Sequence, residues 1–279
     1  MILMILTSHR ADCFVLCVDC LERHTDLNVF ERVYVMANAL EPEHFALARA
    51  FAARHGNVKL VAINPRGLMP VMEAQNAVLG MHKDSVLIKL DEDVFVTEGW
   101  LDGLVGTYTS FGKDGCVLVS ALVPNNTMGK QVLDEAFCRE CPGYADNEAL
   151  HQGRVSANSQ YAVWLWEHVL DGTLRFTPDA LLRGLGPQRV NCYLNINCIL
   201  VDPRMLDCAL PFGLVSKAEE IPAMVTDEYK MNVVMSLENV PFYGLVTSDS
   251  LAHHFSFGPQ QQALDARFSI GDIRKKLLV

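Results

Sequence analysis

Val86-Leu87-Ile88-Lys89-Leu90 runs directly into Asp91-Glu92-Asp93 and on into Val94-Phe95-Val96. The apolar first part reads as a buried strand, which delivers the three acids to the carboxyl edge of a sheet. In an open parallel sheet that edge is where ligands bind. If the chain stays extended, Asp91 and Asp93 project to one side, about 6.5 Å apart along the strand. Two carboxylates so placed leave room for a hard cation, Mg²⁺ or Mn²⁺, with phosphate oxygens beside it. Without a cation their mutual repulsion is costly. The competing reading makes the acids caps for a following helix, expected over 97–108.

Outward from this strand, apolar segments alternate with amphipathic ones. Strands are expected at 2–6, 32–36, 58–63, 86–90 and 116–122, and helices at 11–24, 42–55 and 71–82. The second helix has Pro42 in its first turn and Gly56 just past its end. Val-, Ile- and Leu-rich strands in such alternation imply βαβ units, an α/β fold and a mostly parallel, Rossmann-like sheet. From 124 to 190 the rhythm breaks, with one clear helix at 159–170 carrying Trp164 and Trp166. A strand-like run at 191–201, a helix at 227–237, a strand at 242–246 and a polar tail follow. The expected organisation is a nucleotide-binding lobe over 1–122, with 123–279 as an irregular, acceptor-side half of the same domain.

The 279 residues are half apolar and carry a formal net charge of -10. That balance argues against nucleic acid or an anionic membrane as the main partner. No stretch approaches the roughly 20 apolar residues of a membrane span, so a cytoplasmic location is expected. Nine cysteines are present. Most lie in apolar runs and read as buried thiols, and the pairs Cys17/Cys20 and Cys138/Cys141 are too distant in sequence to suggest one zinc site.

A βαβ lobe ending in IKLDEDVFV, after a helix containing Ala74-Gln75-Asn76-Ala77, resembles the GT-A glycosyltransferases, family 2 in particular. The resemblance covers roughly 1–122 and scattered segments after 190. It implies a nucleotide-diphosphate sugar donor, a divalent cation (Mn²⁺ or Mg²⁺), and a sugar, lipid or protein acceptor. On that basis Asp91 faces ribose or metal, and Asp93 binds the metal that bridges the diphosphate. The loop holding Thr7, Ser8 and Arg10 would cradle the nucleotide, and Arg66 would contact the diphosphate. A late histidine, His253 or His254, would complete the metal shell. Asp227, at a helix start, would be the general base of an inverting reaction, with Glu228 in reserve. Thr226 and Asp227 also read as a helix cap.

Other readings stay open at this level. LDEDVF also fits a haloacid-dehalogenase-type phosphatase with Asp91 as nucleophile, although that motif belongs on a first strand and here three βα units precede it. A protein that binds the nucleotide sugar without turnover is compatible with the same site. Nucleotidyltransferases and dinucleotide-dependent oxidoreductases want a glycine-rich loop that TSHRAD lacks. Gln160-Tyr161-Ala162-Val163-Trp164 is similar to the Gln-x-x-Arg-Trp box of processive synthases, but it lacks the Arg and precedes the expected base.

Overall fold

The computed structural model describes the chain except for residues 64, 65, 67, 68, 175–185, 191, 192, 216–222, 238–240, 256 and 279. The N-terminal alternation is as expected. Strands β1 (Ile2–Thr7), β2 (Arg32–Asn38), β3 (Val58–Ile63) and β4 (Leu87–Asp91) are separated by helices α1 (Ala11–His24), α2 (Pro42–Arg54) and α3 (Pro70–Gly80). These four strands pair in parallel, in the order β3-β2-β1-β4. Alternate apolar positions explain the layering: Cys13, Phe14, Cys17, Cys20 and Leu21 of α1 are buried at helical spacing beneath fully buried Ile2 to Ile5.

The chain then turns instead of running extended through the acids. β4 stops at Asp91, and a separate strand β5 (Val94–Val96) begins after Asp93. The helix after it, α4 (Trp100–Phe111), leads to β6 (Cys116–Leu122). The stretch after residue 123 holds more regular structure than expected. It contains α5 (Thr127–Glu140), α6 (Ser159–Asp171), β7 (Gln188–Arg189), β8 (Cys198–Val201), α7 (Pro203–Ala209), β9 (Gly213–Val215), β10 (Ala223–Val225) and α8 (Asp227–Met235). β11 (Tyr243–His254) is much longer than anticipated, and the polar tail forms α9 (Gly258–Arg267) and α10 (Ile270–Leu277).

This second half completes the sheet begun by the first. β8 lies antiparallel between β4 and β6, and the first part of β11 runs parallel to β6. After an irregularity between Thr247 and Leu251, β11 pairs antiparallel with β5. Gly103 of α4 packs against that irregularity: a Cβ there would lie 2.2 Å from the Asp249 carbonyl oxygen. β11 thereby carries the end of the sheet back over the acidic turn.

Candidate functional site

The middle acid of the triplet serves the loop after β1. Glu92 is only 5% exposed. Its carboxylate accepts hydrogen bonds from the backbone N–H groups of Ser8, His9 and Arg10, at 3.0, 3.0 and 3.2 Å. It also accepts from the Thr7 and Ser8 hydroxyls, at 2.5 and 3.1 Å. These amides stand at the entry to α1, where a negative charge complements the helix dipole. An acid of the triplet does serve a helix start, then, but it is that of α1 and not the helix that follows. Thr7, expected in the nucleotide cradle, is fully buried, and its hydroxyl is shared between Glu92 and His44 Nε2. Burial holds the His44 imidazole below its usual range despite the nearby Glu92 carboxylate.

Asp91 and Asp93 flank this clamp and have different partners. Lys89, two residues before Asp91 and on the same side of β4, is buried. Its Nζ donates to Asp91 Oδ1 at 2.6 Å and to the Ile196 carbonyl at 3.2 Å. The Asp91 side chain remains 30% exposed. Burial raises its carboxyl above the ordinary range, with the Lys89 charge opposing. Asp93 faces His254, with Oδ2 and Nε2 3.2 Å apart. Burial pushes the Asp93 carboxyl up, but the His254 charge and hydrogen bond outweigh it, and the group sits below its ordinary value. Fully buried Asn125 donates its side-chain N–H to the His254 carbonyl at 3.1 Å and lies 3.4 Å from Nδ1, which fixes the ring.

The antiparallel register of β5 and β11 selects between the two late histidines. His253 pairs with Phe95 and His254 with Val94, so the two side chains leave opposite faces. His253 is buried beside Trp166, with ring centroids 5.9 Å apart. His254 opens onto a cleft of about 380 Å³ that is also lined by Ser8, Arg10, Asp91, Asp93 and Glu228. Four of the expected site residues outside the acidic triplet thus converge with Asp91 and Asp93, while Thr7 and His253 turn away.

The opposite wall comes from the start of α8. Thr226 is the N-cap, accepting from Tyr229 N–H. Asp227 is buried, accepts from the Glu228 N–H and is absent from the cleft lining. Glu228 faces the cleft. Burial raises its carboxyl above the ordinary 4.5, partly offset by a hydrogen bond donated by Tyr193 and by the Lys89 charge. Asn195 Nδ2 approaches Glu228 Oε1 at 3.4 Å. Arg10 lines the cleft, yet its guanidinium is engaged with Asp12 and Asp265, both at 3.1 Å, and lies over the Phe255 ring. Arg66 is exposed after β3 and is not part of the lining.

Lys89, Asn125 and Tyr193 were missed in the sequence. Lys89 had a readable signal, being the one charge inside an apolar strand and in phase with Asp91. Trp166 is core, its indole N–H donating to the Phe255 carbonyl, whereas Trp164 is partly buried among Phe137, Tyr144 and Tyr161. Of the described cysteines, Cys138 and Cys208 are exposed and the others are buried free thiols.

No family model matches the chain, and no curated protein matches it. Solved structures do. One is a crystal structure of GalNAc-T7 with UDP, GalNAc and Mn²⁺. The match has a TM-score of 0.52 and 14% identity, and it covers 92% of this chain and 44% of that one. The fold is α/β with a mixed, mostly parallel sheet, of the GT-A-like Rossmann kind. At this identity the likeness concerns the fold, and the chain spans less than half the length of that relative.

The donor chemistry of the edge suits a divalent cation. Among the described residues no three His, Cys, Asp or Glu side chains are grouped to hold a metal by themselves. Asp93 and His254 offer one oxygen and one nitrogen side by side, and Asp91 stands on the same cleft wall. A small cation held by one or two protein groups plus phosphate oxygens and waters is a common arrangement. No described helix is long and apolar enough to cross a membrane.

Proposed function

We propose that the chain is a divalent-metal-dependent glycosyltransferase that moves a sugar from a nucleotide-diphosphate sugar to an acceptor hydroxyl. The observation that carries this reading is the convergence of Asp91, Asp93, His254 and Glu228 on one cleft, at the strand edge of a GT-A-type fold. Asp93 and His254 would hold the cation, which supplies Lewis-acid stabilisation to the departing diphosphate. Asp91, tied to Lys89, is the group left that would meet ribose or the cation. The nucleotide would lie along the rim formed by Ser8, His9 and Arg10, a rim whose backbone is held by Glu92.

Glu228 is better placed than Asp227 to act as base. A carboxyl above its ordinary value is a stronger proton acceptor when ionised. In an inverting transfer, Glu228 takes the acceptor hydroxyl proton as that oxygen bonds to the anomeric carbon. The bond from that carbon to the diphosphate oxygen breaks, and the diphosphate leaves with the electron pair. Lys89, behind Asp91, keeps net negative charge from accumulating on this edge.

A thermal-shift panel of nucleotide diphosphates and nucleotide sugars, with and without Mn²⁺, tests the reading by mass action. A metal-dependent rise with one nucleotide, lost in Asp93→Ala and His254→Ala, is the expected result. No metal-dependent rise with any nucleotide would remove the basis of the proposal. Binding without release of nucleotide diphosphate would favour a non-catalytic binder, and hydrolysis of a generic phosphomonoester would favour the phosphatase.

A further inference from the structure

A second groove, of about 440 Å³, opens beside the cleft, lined chiefly by Val190, Tyr193, Tyr229, Val233 and Met235. Its volume is in the range that takes a small organic molecule. Tyr193 and Tyr229 are 49% and 53% exposed, and Val233 and Leu237 are exposed next to them. Such a concentration of exposed apolar side chains calls for a ligand.

The side chains of Asn232 and Ser236 in the groove are already used. Asn232 Oδ1 accepts from Leu194 N–H at 2.8 Å, and its Nδ2 donates to the carbonyls of Leu194 and Glu228 at 2.9 and 2.8 Å. Ser236 Oγ donates to the Asn232 carbonyl at 2.8 Å. What remains on offer, beside the Tyr229 hydroxyl, is ring faces, aliphatic surface and a thioether, which receive an aromatic body with a hydroxyl better than a polyhydroxylated one. The groove and the cleft share two walls. Glu228 on α8 lines the cleft while Tyr229, the next residue, lines the groove; Tyr193 lines the groove while Asn195 lines the cleft. The Tyr193 hydroxyl donates to the Glu228 carboxylate and so marks the junction.

We propose that this groove seats the acceptor, and that the acceptor is an aromatic hydroxyl compound, a phenol or aryl alcohol. Its hydroxyl reaches Glu228 while its ring lies between Tyr193 and Tyr229. The acceptor role rests on the transferase reading; binding in the groove does not.

The test uses 2-naphthol as probe, with glucose and cyclohexanol for comparison, followed by ligand-observed saturation-transfer NMR on the intact chain. Tyr229→Ala and Val233→Asp alter exposed side chains and leave the cleft lining untouched. Each should weaken naphthol binding about tenfold, the scale of one lost ring or apolar contact, while any nucleotide-induced thermal shift is unchanged. Naphthol affinity equal in wild type and both variants, or glucose binding as tightly as naphthol, overturns the proposal. If no nucleotide shifts the wild type yet naphthol binding falls in the variants, the groove stands as an aryl site and its acceptor role is lost with the transferase reading.

Discussion

Replacing Glu92 separates scaffold from ligand within one acidic triplet. The carboxylate receives five hydrogen bonds, three of them from consecutive backbone amides at the start of α1. Hydrogen bonds to a charged acceptor contribute about 1.5–3 kcal/mol each, but water would reach the partly exposed loop and recover some of the loss. A net cost of about 3–5 kcal/mol for Glu92→Ala follows, with Glu92→Gln at about half of it because one amide oxygen still accepts. Unfolding entropy near 2.1 cal/mol/K per residue gives about 0.6 kcal/mol/K for a chain of this length, so the alanine variant should melt about 5–8 °C lower. Asp93→Ala should behave the opposite way, keeping its melting temperature within about 2 °C while losing the metal-dependent nucleotide shift. Scanning calorimetry with and without nucleotide and Mn²⁺ reads both quantities. If Glu92→Ala melts like the wild type and Asp93→Ala unfolds, the assignment of the clamp to the middle acid is wrong.

Three further outcomes are expected. Turnover should fall as pH drops through the Glu228 carboxyl, with the acid limb above the ordinary 4.5 because burial raises that group; Glu228→Gln should remove the limb and cut kcat by about 10²–10⁴, and a limb that persists in Glu228→Gln assigns it elsewhere. Lys89→Met should cost about 2–4 kcal/mol at neutral pH by leaving Asp91 without its cation, and Asp91→Asn in the same chain should recover much of that in urea melts. The Lys89 ammonium is held above its ordinary 10.5, its desolvation outweighed by Asp91 and Asp227. Its contribution is therefore complete below that value and lost as pH rises through the raised one, so the wild type but not Lys89→Met should show this loss in alkaline melts. Gly103→Ala should lower the melting temperature by about 2–5 °C, since the added methyl meets the Asp249 carbonyl and α4 must move to make room; an unchanged value would mean the helix slides freely.

The first lobe was legible where its elements carry full runs or periods of buried side chains: Ile2 to Ile5 as a run, and the cysteines and Phe14 of α1 at helical spacing. Helix α9 carried no such signal, as Gln260 and Leu264 are its buried positions and the former is polar. Within α5, Lys130 reads as a surface charge, yet it is buried against the Tyr144 and Tyr161 rings and paired with Asp134. That the acids stand at a strand end beside a cleft was visible in their place in the sequence. Their division of labour was not. It depends on a turn held by Glu92 N–H to the Leu6 carbonyl and by Phe255 N–H to the Asp93 carbonyl, both contacts between distant parts of the chain. That Glu228 and not Asp227 lines the cleft likewise turns on how α8 is rotated, which a helix-start motif leaves open.

The irregularity in β11 between Thr247 and Leu251 acts as a counter of odd and even. Side chains on a strand alternate, so the number of residues consumed in that irregularity decides which of two adjacent histidines faces Asp93. Adding one residue there, with the strand beyond it held in place, would move each following side chain one position along, setting His253 where His254 now faces Asp93 and Ala252 where His253 now meets Trp166. Because the two residues are chemically identical, such an insertion keeps an imidazole opposite the acid. By the same count a deletion would bring Phe255 to that place, so the histidine pair covers a slip in one direction only.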